Sequence, residues 1–241
     1  MSANPEVPAA PRLRAIREAW LERAVERLEA DPAISAAGLV GSLGRGDADD
    51  WSDIDLLIAV PDGQVGHYAD AAHLPGPDLV TWSIDARHNA PRGAGAIGVR
   101  YVIDGLPLHV DWHIYPRSQA AWVADAKVIF DRQGLHRLDD TFREYQDKRE
   151  VQPPAPRAAN AHRLLQVSLI PVAAKYVVRR SADAARMVEF VGGPYVPQAV
   201  PAEHLAILRR LLVQYRDDAP EEMLAPVSRY LDLAEAVLPP S

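Results

Sequence analysis

The stretch "GSLGRGDADDWSDIDLLIAV", residues 41–60, runs a glycine-rich turn into five aspartates within nine positions and then into an apolar segment. Like charges this close repel, so a positive partner is expected beside Asp47, Asp49, Asp50, Asp53 and Asp55. Neither common phosphate cradle is present: Gly41, Gly44 and Gly46 lack the G-x-G-x-x-G spacing, and no G-K-[ST] follows. The Arg-Gly-Asp tripeptide at 45–47 reads as a chance occurrence. What remains is an apolar strand ending at Gly41-Ser42, a ten-residue linker, and Asp53-Ile54-Asp55 opening a second strand. Alternation puts Asp53 and Asp55 on one side of that strand, where two carboxylates can share a divalent cation. Oxygen ligands suit Mg2+, which keeps its waters and takes a few carboxylates plus substrate phosphates. Asp47, Asp49 and Asp50 are assigned to a solvated linker.

Around this stretch the pattern is one of short strands: residues 34–40, 53–60, 78–84, 97–103, 106–114 and 127–130, with a short helix expected over 62–74. "RYVIDGLPLHVDW" reads as a hairpin, because Asp104-Gly105 supplies the positive φ of a tight turn. In its second strand Leu108, Val110, Trp112 and Ile114 alternate with His109, Asp111 and His113, giving one core face and one polar face. Asp111 is therefore the natural third carboxylate. Ahead of the strands, Leu13, Ile16, Trp20, Ala24 and Leu28 recur at helical spacing, predicting an amphipathic helix with one buried stripe.

The organisation expected is a flexible tail over 1–10, an α/β (α+β) domain over 11–152, and a C-terminal helical bundle over 157–241. The proline cluster "VQPPAPR" at 151–157 marks the boundary. Net charge is −7, and the acidic excess is local: residues 1–156 hold 16 Lys and Arg against 24 Asp and Glu. That balance argues against a nucleic-acid duplex as partner, since such binding is driven by basic side chains displacing counterions. Without cysteine, thiolate zinc sites and cysteine nucleophiles are excluded. The absence also suits a reducing compartment, and neither a leader nor a membrane span is evident, so a soluble, cytoplasmic protein is expected. Oligomeric state is not legible.

Gly-Ser at 41–42, Asp-Ile-Asp at 53–55 and Val-Asp-Trp at 110–112 together resemble the DNA polymerase β-like nucleotidyltransferase superfamily, over roughly residues 34–115. The helical C-terminal part resembles the layout of its aminoglycoside- and lincosamide-modifying members. The resemblance implies a nucleotidyltransferase-type domain with a mixed sheet. It implies that the turn at Gly41 and Ser42, with Arg45 and Ser52, holds the triphosphate of ATP or another nucleoside triphosphate. It assigns Asp53, Asp55 and Asp111 to one or two Mg2+ ions and to catalysis. Lys175, joined by Arg179 four residues on, is its candidate for a helical-domain contact to the triphosphate. Some members place a glutamate base one turn before that lysine; here the position is Pro171, which moves the base role to Asp111.

The activity so implied is transfer of a nucleoside monophosphate, AMP from ATP, to a hydroxyl of a small molecule such as an aminoglycoside or lincosamide antibiotic, with release of pyrophosphate. Two alternatives stand beside it: an antitoxin-type enzyme that modifies a partner protein, and a regulatory module that binds nucleotide without turnover. Minimal antitoxin-type members lack a large helical domain, and three retained carboxylates disfavour the regulatory module. His109 and His113 also open a metal-hydrolase reading through H-x-D-x-H, which leaves the Gly-Ser turn and Asp53/Asp55 unexplained. One histidine is expected to line the cleft and the other to be structural. Trp51, Trp82 and Tyr195 are candidates for stacking on a base or acceptor, whereas Trp112 alternates into the core; Glu189 has no spacing that places it.

Overall fold

The computed structural model describes residues 9–150, 152–154 and 160–239. Most of the tail expected at 1–10 lies outside the described residues, as do Val151 and residues 155–157 of the proline cluster. The chain divides into two compact units. One comprises Arg14–Tyr101 and Leu108–Pro156; the other takes in the described parts of Met1–Leu13, Val102–Pro107 and Arg157–Ser241.

The first unit is built on a six-stranded mixed sheet. Its strands are β1 (Ala36–Val40), β2 (Ile54–Val60), β3 (Trp82–Asp85), β4 (Gly95–Ile103), β5 (Leu106–Pro116) and β6 (Lys127–Asp131), in the order β3-β4-β5-β2-β1-β6. β1 is antiparallel to both β2 and β6, β3 is antiparallel to β4, and β2 runs parallel to β5. All six expected strands form, although the third is shorter than its apolar run suggests. Residues 78–81 lie outside it, following Pro75, Gly76 and Pro77, and Leu79 is 92% exposed. The β4–β5 turn is the predicted one: Asp104 and Gly105 have φ of 51° and 74°, as a two-residue hairpin of this twist requires.

Helix α1 (Ala9–Ala30) buries Ile16, Trp20, Ala24 and Leu28, the stripe its spacing predicts. Trp20 anchors it, with ring centroids 5.0 Å from Tyr101 and 6.2 Å from Trp112. Trp112 is thus core, as its alternation implies. Between β1 and β2 the chain makes one helical turn, α2 (Gly41–Arg45). The helix expected over 62–74 is reduced to α3 (Val65–Tyr68) between two 3-10 turns, the second begun by Asp70, whose side chain accepts from the Ala72 amide. Gly63 and Gly66 weaken helix propagation there. A further short helix, α4 (Phe142–Lys148), escapes hydrophobic periodicity but starts with a capping box between Thr141 and Glu144.

The helical unit holds α5 (Ala161–Val178), α6 (Ala184–Phe190), α7 (Pro201–Gln214) and α8 (Glu221–Ala236), with α5 packed on the other three. The long apolar run from residue 161 breaks after α5 because Arg180 takes a left-handed φ of 52°, a helix-ending conformation. Ile170, Val177, Val188, Leu208 and Leu231 fill the core. Arg209 ties α7 to α8, donating to the Glu235 carboxylate and the Ser228 carbonyl at 2.9 and 3.0 Å and pairing with Asp232. Among the described residues no helix is long and apolar enough to cross a membrane.

Candidate active site

The two faces of the sheet differ in what they bury. On one, Val110, Trp112 and Ile114 of β5 join the Trp20 side of the core. On the other, Tyr115 packs with Val40, Leu57, Ala59, Trp122 and Val123, flanked by Phe142 and Tyr145. Along this second face the residue types change from apolar to ionisable toward the starts of β2 and β5. Leu57 pairs with His113 and Asp55 with Asp111, and Asp53 precedes β2 by one residue. Parallel pairing with period-two alternation therefore brings Asp53, Asp55 and Asp111 to one end of one face, as the spacing predicts.

His109 stands among them. Its Nε2 lies 2.9 Å from Asp111 Oδ1 and its Nδ1 3.9 Å from Asp53 Oδ2. His113 is more deeply buried; its ring meets Phe142 edge-on at 4.9 Å and its Nε2 lies 3.9 Å from Asp55 Oδ1. Arg100 of β4 brings a guanidinium to the same place; it is only 6% exposed and donates to the Val99 carbonyl. Burial pulls the Arg100 guanidinium down to about 10, against the opposing attraction of Asp111 and Asp53. For Asp111, burial alone would raise the carboxyl. The charge and hydrogen bond of His109, then the charges of Arg100 and His113, outweigh it and hold the group well below the usual carboxylate range. Sequence reading missed Arg100; its one signal was a lone charge inside the apolar strand "IGVRYVI".

The loop that delivers Asp53 is more structured than a solvated linker. Arg17, buried on α1, donates through Nη1 to the Asp49 and Ser52 carbonyls at 2.7 and 3.0 Å. Arg14 pairs with Asp50 at 2.6 Å. Asp49 accepts from the Trp51 amide and the Ser52 hydroxyl, while the Asp49 amide donates back to that hydroxyl. Asp49 and Asp50 therefore build the loop, and only Asp47, paired with Arg45 at 3.0 Å, keeps the exposed role expected of all three. The Ser52 hydroxyl, assigned to phosphate by resemblance, is engaged within the loop and its residue is buried.

Gly41, with φ of 61°, packs so closely on the Asp55 carboxylate that a Cβ there would collide with it. Ser42 follows in α2, its carbonyl accepting from the Gly46 and Asp47 amides. Arg45 is half-exposed and also approaches Asp125, at 3.9 Å. In the helical unit Lys175 is buried within α5, whereas Arg179 caps its end and is exposed, so the two do not share one environment. Glu189 is exposed on α6, Trp51 is buried and Tyr195 is exposed.

Asp53, Asp55 and Asp111 carry the hard oxygen donors that a divalent cation would take here. Their side chains are 24%, 27% and 39% exposed, so solvent reaches them, and carboxylate oxygens match a hard cation. Among the described residues no three His, Asp or Glu side chains close into a ready-made cage. Mg2+ does not need one, because phosphate oxygens and water complete its octahedron. The donor set fits on these terms.

Residues 19–130 match the family model described as "Nucleotidyltransferase domain". The matched segment contains β1 to β5 and all three carboxylates. The match covers a little under half of the chain; this segment has a nucleotidyltransferase-type fold and is followed by helices. No curated protein matches the sequence. Among solved structures, the STING-associated CdnE c-di-GMP synthase from Capnocytophaga granulosa aligns over 94% of this chain and 82% of its own at 10% identity, with a TM-score of 0.32. That likeness is too slight to carry an argument about chemistry.

Proposed function

We propose that the chain is a Mg2+-dependent nucleotidyltransferase that moves AMP from ATP to a hydroxyl of a small molecule, with an aminoglycoside or lincosamide as the acceptor class. The observation that carries this reading is the in-register pairing of Asp55 with Asp111 on parallel strands, with Asp53 two residues before Asp55. Asp53, Asp55 and Asp111 would hold a divalent cation, which would supply the positive charge that neutralises the triphosphate and the pyrophosphate leaving group. Asp111, whose Oδ1 is held by His109, takes the acceptor hydroxyl proton. The acceptor oxygen bonds to the α-phosphorus as the bond from that phosphorus to the bridging oxygen breaks. Gly41 and Ser42 supply the turn beside the triphosphate, and Arg45, Lys175 and Arg179 are assigned to it by resemblance alone.

The test is incubation of the protein with each nucleoside triphosphate, Mg2+ and a panel of aminoglycosides and lincosamides, reading pyrophosphate and small-molecule adducts by mass spectrometry. An adduct with stoichiometric pyrophosphate supports the reading. Adducts on a co-purified protein would transfer it to the antitoxin-type alternative, and thermal stabilisation by nucleotide without pyrophosphate to the binding module.

Gly41→Ala gives a second check. Its Cβ would force the Asp55 carboxylate aside and strain a left-handed residue. Displacement of a ligand by an ångström is expected to lower kcat about 10²-fold, measured by pyrophosphate release under saturating ATP.

A further inference from the structure

We infer that His109 is a positioning residue for the carboxylate site: one imidazole, hydrogen-bonded to Asp111 and set against Asp53, fixes the spacing of two ligands that come from different strands. The inference rests on the reading of Asp53, Asp55 and Asp111 as the cation-holding groups. An ionised carboxylate only accepts, so in the 2.9 Å contact Nε2 donates to Asp111 Oδ1. This leaves Oδ2 as the oxygen offered to a cation. The Asp111 side chain is 39% exposed, whereas that of His109 is only 14% exposed, so the better-enclosed ring orients the more open carboxylate. Its Nδ1 is shielded from solvent, has no hydrogen-bond partner, and lies 3.9 Å from Asp53 Oδ2. The imidazole thus spans the gap between a β5 carboxylate and the residue that opens β2.

His113 is placed differently on the same face. Neither of its ring nitrogens has a hydrogen-bond partner, its ring meets Phe142 edge-on, and its Nε2 lies 3.9 Å from Asp55 Oδ1. Of the two histidines flanking Asp111, His109 is the one that hydrogen-bonds it. A group that holds a metal ligand from behind typically contributes 10–100-fold to metal affinity or activity.

The experiment compares His109→Ala with His109→Gln, because the glutamine amide reaches the place of Nε2 and can still donate to Asp111. The probe is Mn2+ with a non-hydrolysable ATP analogue, followed by electron paramagnetic resonance, and melting curves are recorded for both variants. His109→Ala is expected to weaken Mn2+–nucleotide binding about 10–100-fold and His109→Gln about threefold or less, with similar melting temperatures. Binding by His109→Ala equal to the parent, or equal weakening in both variants, overturns the positioning role. Should His109→Ala fail to fold, the imidazole nitrogen NMR spectrum of the nucleotide-free parent decides: the His109 Nε2 signal moves on Asp111→Asn, and an unmoved signal overturns the inference. A parent that binds no Mn2+–nucleotide overturns the reading of the carboxylates along with it, an outcome distinct from failure at His109 alone.

Discussion

Asp53→Ala is expected to reduce nucleotide transfer by about 10³-fold or more, equivalent to about 4 kcal/mol of transition-state stabilisation. The physical basis is that its carboxylate is one of three convergent hard donors, and no other acidic side chain of the upstream loop can replace it. Asp50 is tied to Arg14, Asp49 binds the Ser52 hydroxyl, and Asp47 is paired with Arg45. The remaining two carboxylates leave a cation poorly held where the triphosphate must be neutralised. Initial rates at saturating ATP and a range of Mg2+ concentrations measure the effect. Recovery of the parent rate simply by raising Mg2+ would reduce Asp53 to a minor ligand, and an unchanged rate would remove it from the site.

Asp111→Ala is expected to lose activity to the same degree but also to lose stability, which separates it from Asp53→Ala. Asp111 is the acceptor for His109 and the first of the two carboxylates that draw on Arg100. Arg100 is 6% exposed and remains charged, so deleting Asp111 leaves a buried cation with less compensation. Removing one partner of a fully buried pair costs about 3–5 kcal/mol. Here Asp53 remains and Asp111 is 39% open to solvent, so about 1–3 kcal/mol is expected. Urea unfolding read on Trp20 and Trp112 fluorescence measures it. Adding Arg100→Met to the same chain should return part of the lost stability, because the buried charge that Asp111 helped to compensate is then gone. If Asp111→Ala unfolds like the parent, the argument from Arg100 is wrong.

The parts legible in the sequence are those fixed by local periodicity. The stripe from Ile16 to Leu28, the turn at Asp104-Gly105 and the alternation of β5 follow from backbone geometry that acts over a few residues, and each is seen. The same alternation put Asp53 and Asp55 on one side of their strand and Asp111 on the polar face of its own; that the two faces coincide follows from the pairing of β2 with β5. What was not legible depends on contacts between distant segments. Arg17 and Asp49 are 32 residues apart, and nothing in either neighbourhood announces that one holds the other's carbonyl. Arg100 lies in a strand whose composition speaks only of burial; its role appears when β4 is laid beside β5. Ser52 is a different case. Its position before the paired acids matches a family pattern, but its hydroxyl is taken up by Asp49 three residues earlier. The capping box at Thr141 and Glu144 was in plain view, yet helix recognition by apolar spacing has no hold on a seven-residue helix without a buried residue.

The parallel pairing of β2 with β5 also decides which kinds of sequence change this protein can absorb. Residues pair as Asp55 with Asp111, Leu57 with His113 and Ala59 with Tyr115, so the arrangement depends on odd positions matching odd positions. One residue inserted inside β2 would invert the phase of the strand beyond it, exchanging the sets that Leu57 and Ala59 and that Leu56 and Ile58 present to the two buried faces. One inserted between Arg45 and Asp49 would change only the length of a connection whose far end Arg17 grips. An insertion is therefore absorbed or not by where it falls relative to that grip: upstream of it only the length of a connection changes, whereas within β2 the pairing parity with β5 is lost.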